Sequence, residues 1–256
     1  MGSHIWARFQ IMRENKFKWI DIHSHILPDT DNGAVDLNQT IAMLEMANQA
    51  NITTIIATPH YGVGCRNPEP KDLYKKLELV RRQAKIINKD LTIALGNELY
   101  YSEDIIGDLR KEKALTLAGT RYVLVKFPDT ESYEDIKTGI HRLLMYGYLP
   151  ILSQVETYNC LQGEYEKIHD LIKLGAYMQM TISSLSGGLG NKEGYYAKKL
   201  LDYGLTHMFG TDSHSVTGKS EKIKQGISTV QKRYQDSFLA DLFTGNAIKL
   251  LQNKYI

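Results

Sequence analysis

The chain alternates short apolar runs with longer stretches in which apolar residues recur every three to four positions. The short runs fall at Lys18–Ile22, Thr53–Ala57, Leu91–Leu95, Tyr122–Phe127, Leu149–Ser153, Tyr177–Ile182 and Thr206–Phe209. Most are apolar at consecutive positions, the pattern of parallel strands covered on both faces. Between them, Leu37, Ile41, Leu44 and Ala47 mark a helix with Asp36 as its N-cap, and Leu73, Leu77, Val80 and Ala84 mark a second. Ile136, Ile140, Leu143 and Leu144 mark a third, and Ile168, Leu171, Ile172 and Leu174 a fourth that ends at Gly175. Tyr196, Leu200 and Leu201 mark a fifth that ends at Gly204, and helices over Ser220–Tyr234 and Ser237–Leu251 close the chain.

These β/α units follow one another without a linker or a low-complexity break. The expectation is a single α/β domain over residues 18–256, a distorted TIM-like (β/α)7 barrel, with a doubly wound open sheet as the alternative. Residues 1–17 read as a basic leader, disordered or loosely docked, and Met1-Gly2-Ser3-His4 is a candidate expression tag. Its apolar content is too short and interrupted for a signal-peptide core or a membrane span.

The strand ends carry the polar chemistry. Ile20-Asp21-Ile22-His23-Ser24-His25 is an apolar run that closes in two histidines one residue apart. Residues i and i+2 of a strand share a face, so His23 and His25 can aim two imidazoles at one point, as a divalent metal requires. Alone, such a pair is more often a surface feature. Three further apolar runs end in the same way, at Thr58-Pro59-His60, Gly96-Asn97-Glu98 and Thr211-Asp212-Ser213-His214. In a barrel these C-terminal ends meet on one face. His23, His25, His60, Glu98, Asp212 and His214 are therefore the candidate metal ligands, a nitrogen and oxygen set that suits Zn²⁺, Mn²⁺ or Fe²⁺. Singly, each has a plainer role: Glu98 as a helix cap, Asp212 as an N-cap, His60 as a loop residue. His141 and His169 fall in helices, His207 opens a strand at the far end from Asp212, and His4 lies in the leader, so none of these is expected to ligate.

Composition narrows the alternatives. The 256 residues are 43% apolar and 23% charged with a net charge of +2, too small to make nucleic acid or an anionic membrane the main partner. Cys65 and Cys160 are the only cysteines, which points to a reducing compartment and hence the cytoplasm. Neither is followed six positions later by Arg, since Lys71 and Glu166 stand there, which excludes the usual cysteine-nucleophile phosphatase loop.

Asp21-Ile-His-Ser-His-Ile-Leu-Pro28, followed by Asp31-Asn-Gly-Ala34, resembles the opening of the bacterial CpsB/CapC-like phosphatases of the PHP (polymerase and histidinol phosphatase) superfamily. The resemblance continues through Ile55-Ile-Ala-Thr-Pro-His60, Gly96-Asn-Glu98, Tyr122-Val-Leu-Val-Lys-Phe-Pro128, Gly147-Tyr-Leu-Pro-Ile151 and Thr211-Asp-Ser-His214, from about Trp19 to Leu251. It implies a PHP-type distorted barrel and a cluster of divalent metals, manganese foremost, with zinc, iron or magnesium as alternatives. It also implies dephosphorylation of the phosphotyrosine tail of a bacterial tyrosine kinase that controls capsule or exopolysaccharide assembly. The six candidate ligands stand where the family has metal ligands, while Asp31, Asn32, Lys126 and Lys219 stand at its catalytic positions.

Several of those positions depart from the family pattern. Lys126 replaces a metal-bridging Glu, Gln154 and Thr157 replace the His and Arg of a His-Pro-Glu-Arg run, Asn32 replaces an Asp, and Lys219 replaces a phosphate-binding Arg. A protonated Lys about 4 Å from a dication would cost on the order of 4 kcal/mol per unit of metal charge at an effective dielectric of ~20. Lys126 is then neutral, carbamylated, or an ammonium in place of a metal. The last is the expectation, because Gln154 is also a weak ligand, and with it fewer than three metals. Arg66 is a solvated loop residue or a replacement cation, and Tyr61 and Tyr101 are expected to pack in the core or a loop, with flanking of an aromatic substrate as the alternative. The leading function is a metal-dependent phosphotyrosine-protein phosphatase with a partly degraded site, which attacks phosphorus in line through a metal-activated water. The alternatives are a weak or inactive relative that binds a kinase partner, and a PHP phosphoesterase for a small phosphometabolite.

Overall fold

The computed structural model describes residues 17–186 and 192–256. The strands are β1 (Trp19–Ser24), β2 (Ile52–Ala57), β3 (His60–Tyr61), β4 (Thr92–Leu95), β5 (Glu98–Tyr100), β6 (Tyr122–Lys126), β7 (Leu149–Leu152), β8 (Tyr177–Thr181) and β9 (Met208–Gly210). Seven of them stand where the apolar runs predict. The two extra ones, β3 and β5, resume β2 and β4 after the interruptions Thr58-Pro59 and Gly96-Asn97. Asn97 pins both breaks, donating from Nδ2 to Pro59 O at 2.8 Å and accepting the Leu115 N–H at Oδ1 at 2.8 Å. His60 and Glu98 each open one of these short strands, and they are register partners.

All pairings between these strands are parallel, in the orders β1-β2-β4 and β3-β5-β6-β7-β8-β9. The first strand also meets the end of the last. His25 N donates to Ser213 O and Asp212 N donates to His23 O, each at 2.9 Å. An open sheet with distant first and last strands is thereby excluded. The fold is mixed α/β, with parallel sheets curled as a half-barrel. Ladder pairing falls into two sheets joined at Ser24 and Ser213 by an isolated bridge, not the single continuous ring expected from the sequence.

The helices are α1 (Leu37–Gln49), α2 (Pro70–Ile87), α3 (Ile105–Arg110), α4 (Tyr133–Met145), α5 (Tyr165–Leu174), α6 (Lys192–Asp202), α7 (Lys219–Arg233), α8 (Asp236–Ala240) and α9 (Asn246–Leu251). Asp36 caps α1 as predicted, accepting the Gln39 N–H at 2.8 Å. Gly175 ends α5 with φ 117°. The single predicted helix over Ser237–Leu251 is instead α8, a π-turn at Asp241–Gly245, and α9. The wider turn lets Leu239, Leu242, Phe243, Ala247 and Leu250 all be buried, with Phe243 edge-on to Trp19 at 5.4 Å and stacked on Phe17 at 5.5 Å. Helix α3 escaped prediction because six residues are too few to display a period. The predicted leader lies outside the described residues apart from Phe17, which packs on the core.

The inside of the curl is layered. Ile20, Ile22, Ile56, Tyr122, Leu124, Ile151, Tyr177 and Met208 form an apolar floor. Above it, towards the C-terminal strand ends, the inward residues turn polar. In β1 the change is sharp, because a register shift between Asp21 and Ser24 bends the strand, so that His23 and His25 face the same interior as Ile20 and Ile22.

Candidate metal centre

The six candidate ligands converge above the apolar floor. His23 Nε2 and His25 Nε2 are 3.1 Å apart, and His60 Nε2 and His214 Nε2 are 3.3 Å apart. Glu98 Oε2 lies 3.4 Å, 3.7 Å and 3.6 Å from the Nε2 atoms of His23, His25 and His60. Asp212 Oδ1 lies 3.5 Å and 3.6 Å from the Nε2 atoms of His23 and His25, and 3.4 Å from His214 Nδ1. Two sets of ligand atoms are compact enough to hold a cation each: His23, His25 and Asp212; and His25, His60 and His214. His25 Nε2 is common to both sets, and Glu98 Oε2 lies between them. The plainer roles are not adopted. Glu98 is buried in β5, and Asp212 has φ 48° and caps nothing, because α7 starts at Lys219 after Gly218.

Hydrogen bonds to the other ring nitrogen set the tautomers. His25 Nδ1 donates to Asp31 Oδ2 at 2.7 Å, His23 Nδ1 to Gln179 Oε1 at 3.2 Å, and His214 Nδ1 to Asp212 O at 3.2 Å. Each ring then turns an Nε2 lone pair inward. Bare lone pairs 3.1 Å apart repel each other, and the carboxylates beside them add negative charge. Such a donor set is completed by a cation, so the residues present fit divalent metal ions.

Asp31 owes its place to Gly33. A Cβ at Gly33 would come 2.2 Å from His25 O, so only glycine lets the 29–34 loop fold onto His25. Asp31 Oδ1 accepts the Gly33 N–H at 2.9 Å, and Oδ2 accepts the His60 N–H at 3.0 Å as well as His25. Asp31 therefore orients two of the candidate ligands.

The electrostatics follow from burial and crowding. Burial lowers the pKa of His25, but bonds to Asp212 and Asp31 outweigh it and raise the group to about 9. His23 is likewise raised, with burial opposed by the Glu98 and Asp212 carboxylates. Burial and the nearby His25 charge depress His214 to about 4 and also lower His60. Burial raises Glu98, yet the His23 charge and hydrogen bond prevail and hold it at about 2. The crowded carboxylates thus favour positive charge at His23 and His25, the place a bound cation would take.

The substituted positions behave differently from expectation. Lys126 is not an ammonium inserted among the ligands. Its Nζ donates to Asp129 Oδ1 at 2.7 Å and Thr157 Oγ1 at 2.7 Å and lies 4.7 Å from the centre of the Tyr158 ring. Gln154 is left-handed (φ 52°, ψ 53°) and donates from Nε2 to Asp212 Oδ2 at 2.8 Å, so it supports a ligand through its amide. Asn32 is exposed and makes no hydrogen bond to the six ligands. Lys219 opens α7 with Nζ 3.6 Å from Asp212 Oδ2, which keeps a cation at the rim. Arg66 pairs with Asp29 at the surface. Tyr61 is buried and bonds Asp108, and Tyr101 stacks on Phe127 at 4.7 Å, so neither flanks the site. His207 is structural: its Nδ1 accepts the Met178 N–H at 3.0 Å.

Three inward residues were missed. Ser153 Oγ donates to Glu98 Oε1 at 2.7 Å, and Gln179 holds His23. Tyr100 shares the inward face of β5 with Glu98, two residues on, and its ring lies 5.1 Å from that of His60. Strand alternation could have found Tyr100. Ser153 and Gln179 carry no local signal, because their meaning depends on which strands lie side by side.

The comparisons with known proteins agree with this geometry. The family model for capsular polysaccharide synthesis, CpsB/CapC, matches residues 19–252. The tyrosine-protein phosphatase CpsB of Streptococcus pneumoniae is 30% identical over 242 residues, covering 93% of this chain and all of that protein. The tyrosine-protein phosphatase YwqE of Bacillus subtilis is 29% identical over 239 residues, covering 93% of each chain. Among solved structures, a chain from the crystallographic study of YwqE from B. subtilis and CpsB from S. pneumoniae, described as unique metal-dependent tyrosine phosphatases, superposes with a TM-score of 0.83. It is 28% identical, covering 93% of this chain and 96% of that one. No helix among the described residues is long and apolar enough to cross a membrane. The chain belongs to the CpsB/CapC family.

Proposed function

We propose that this protein is a cytoplasmic, metal-dependent tyrosine-protein phosphatase acting in capsule or exopolysaccharide synthesis, with the phosphotyrosine tail of a bacterial tyrosine kinase as its substrate. The observation that carries the reading is the convergence of His23, His25, His60, Glu98, Asp212 and His214 within reach of shared cations. The similarity to phosphatases over 93% of the chain supplies the reaction. Residues 18–256 are read as one domain, a PHP-type (β/α)7 barrel. The β1 contacts with Asp212 and Ser213 support its closure.

Divalent cations in such a set, manganese first, supply Lewis acidity and make water a nucleophile near neutral pH. His23, His25 and Asp212 would hold one ion and His60, His214 and Glu98 a second, the one Nε2 lone pair of His25 serving a single ion. Asp31 and Gln179 keep the protons of His25 and His23 on the outer nitrogens. Lys219 offers a cation to a phosphate oxygen, as a point charge without the fork of an arginine. A count below three cations follows from the β6 and β7 side, where Lys126 and Gln154 are turned to partners within the chain. That same side favours a second reading, binding of a kinase tail without turnover.

The test is phosphate release from a phosphotyrosyl peptide, with and without Mn²⁺, beside a phosphoseryl peptide and an alkyl phosphate. Mn²⁺-dependent release from phosphotyrosine is expected. Peptide binding without release would replace this reading by the second, and preference for the alkyl phosphate would point to a small-metabolite phosphoesterase.

A further inference from the structure

We propose that Gln179 is a positioning residue that makes His23 a metal ligand, acting with Gln154 as a bracket around the His23–Asp212 pair. The inference rests on the reading of the site as a metal centre and names residues that the ligand set alone does not contain.

Gln179 Oε1 receives two hydrogen bonds, from the Gln154 N–H at 3.0 Å and from His23 Nδ1 at 3.2 Å. A backbone N–H can only donate, so the amide atom facing it is the oxygen, and the assignment does not depend on the histidine. That oxygen can only accept. His23 must therefore carry its proton on Nδ1 and keep the Nε2 lone pair for the cluster. Gln179 Nε2 is buried with no hydrogen-bond partner among the described residues. Gly210 makes room for this arrangement: a Cβ there would come 2.7 Å from His23 Cβ and 2.9 Å from Gln179 Nε2.

The bracket closes through Gln154. Its backbone N–H holds Gln179, while its side chain donates to Asp212 Oδ2 at 2.8 Å. Asp212 Oδ1 is left facing His23 Nε2 at 3.5 Å. The left-handed backbone of Gln154 is what allows one residue to point its N–H at β8 and its amide at the segment after β9. The circuit His23–Gln179–Gln154–Asp212 thus ties two ligands of one set through two neutral amides.

The test compares Gln179→Leu, which removes the oxygen, with Gln179→Glu, which keeps an accepting oxygen. Mn²⁺ and Zn²⁺ affinities are read by competition with a chelating dye, and folding by circular dichroism. The Leu variant is expected to bind the tighter ion about 10–100-fold more weakly, the usual effect of losing such a partner. The Glu variant is expected to bind like the wild type. Wild-type affinity in the Leu variant, or equal weakness in both, would overturn the proposal. A readout on the wild type needs no variant to fold: ring ¹⁵N spectra of the Zn²⁺-loaded protein should show His23 protonated at Nδ1 and bound through Nε2. Binding through Nδ1 would overturn it. Absence of any bound ion in the wild type would instead remove the metal reading, and this inference with it.

Discussion

His23 and His25 face each other with their Nε2 atoms 3.1 Å apart, closer than two lone pairs rest without a positive charge between them. Metal removal therefore has a thermodynamic signature. An ion that binds only the folded chain stabilises it by about 2.7 kcal/mol at a hundredfold excess over Kd. For a chain of this size that is roughly 5–10 °C in Tm. Thermal unfolding with Mn²⁺ and with chelator should differ by this amount, and coincident curves would count against an ion in the site.

Asp31 makes a sharper case, because it touches no substrate in this account. Asp31→Ala removes the acceptor that holds His25 Nδ1 and the His60 N–H. Metal affinity should fall about 10–100-fold. Asp31→Asn, which can present an oxygen to His25, should lose less. Equal losses in the two variants, measured by dye competition, would assign Asp31 a role through its charge alone.

Much of this arrangement was legible in the sequence. The apolar runs and the polar residues at their C-terminal ends, with the i, i+2 spacing of His23 and His25, reveal seven strand positions and the six side chains that converge, because strand alternation and parallel β/α order are local rules. What local rules could not give was the environment of single side chains. Lys126 looked like a cation facing metals, yet Asp129, three residues on, and Thr157 on the neighbouring unit take up its Nζ. Gln154 looked like a weak ligand, yet its left-handed backbone swings its amide onto Asp212. The π-turn at Asp241–Gly245 was hidden because an apolar stripe at helical spacing does not reveal one extra residue in a turn.

Tyr100 is an aromatic residue beside the candidate ligands, whereas Tyr61 and Tyr101 pack away from them. It lies one inward position above Glu98, in register with Lys126 on β6. Tyr100→Ala should raise KM for a phosphotyrosyl peptide several-fold with little change for an alkyl phosphate, while Tyr100→Phe should retain most of the wild-type KM. A matching KM rise for both substrates in the Ala variant would show that the ring does not select aromatic esters.

His207 predicts a pH effect remote from the metal centre. Burial lowers its pKa to about 4, and its Nδ1 accepts the Met178 N–H, so the folded protein holds it neutral. The unfolded chain, with an ordinary value near 6.5, binds more protons between these limits. Stability from this residue is therefore present above 6.5 and is lost as pH falls towards 4. His207→Asn keeps an acceptor and removes the titration. Between pH 7 and pH 5 the wild type should lose about 2 kcal/mol more than the variant in urea unfolding. Parallel losses would show that His207 does not titrate in this window.

His25 offers one lone pair, at Nε2, to a centre proposed to hold divalent ions. Its most direct test is metal content by elemental analysis of chain prepared without chelator and reloaded with Mn²⁺, for the wild type and for His25→Ala. Two ions are expected per wild-type chain and fewer than two in the variant, in which one ion has lost a ligand. One ion or none in the wild type, or an unchanged count without His25, would contradict it.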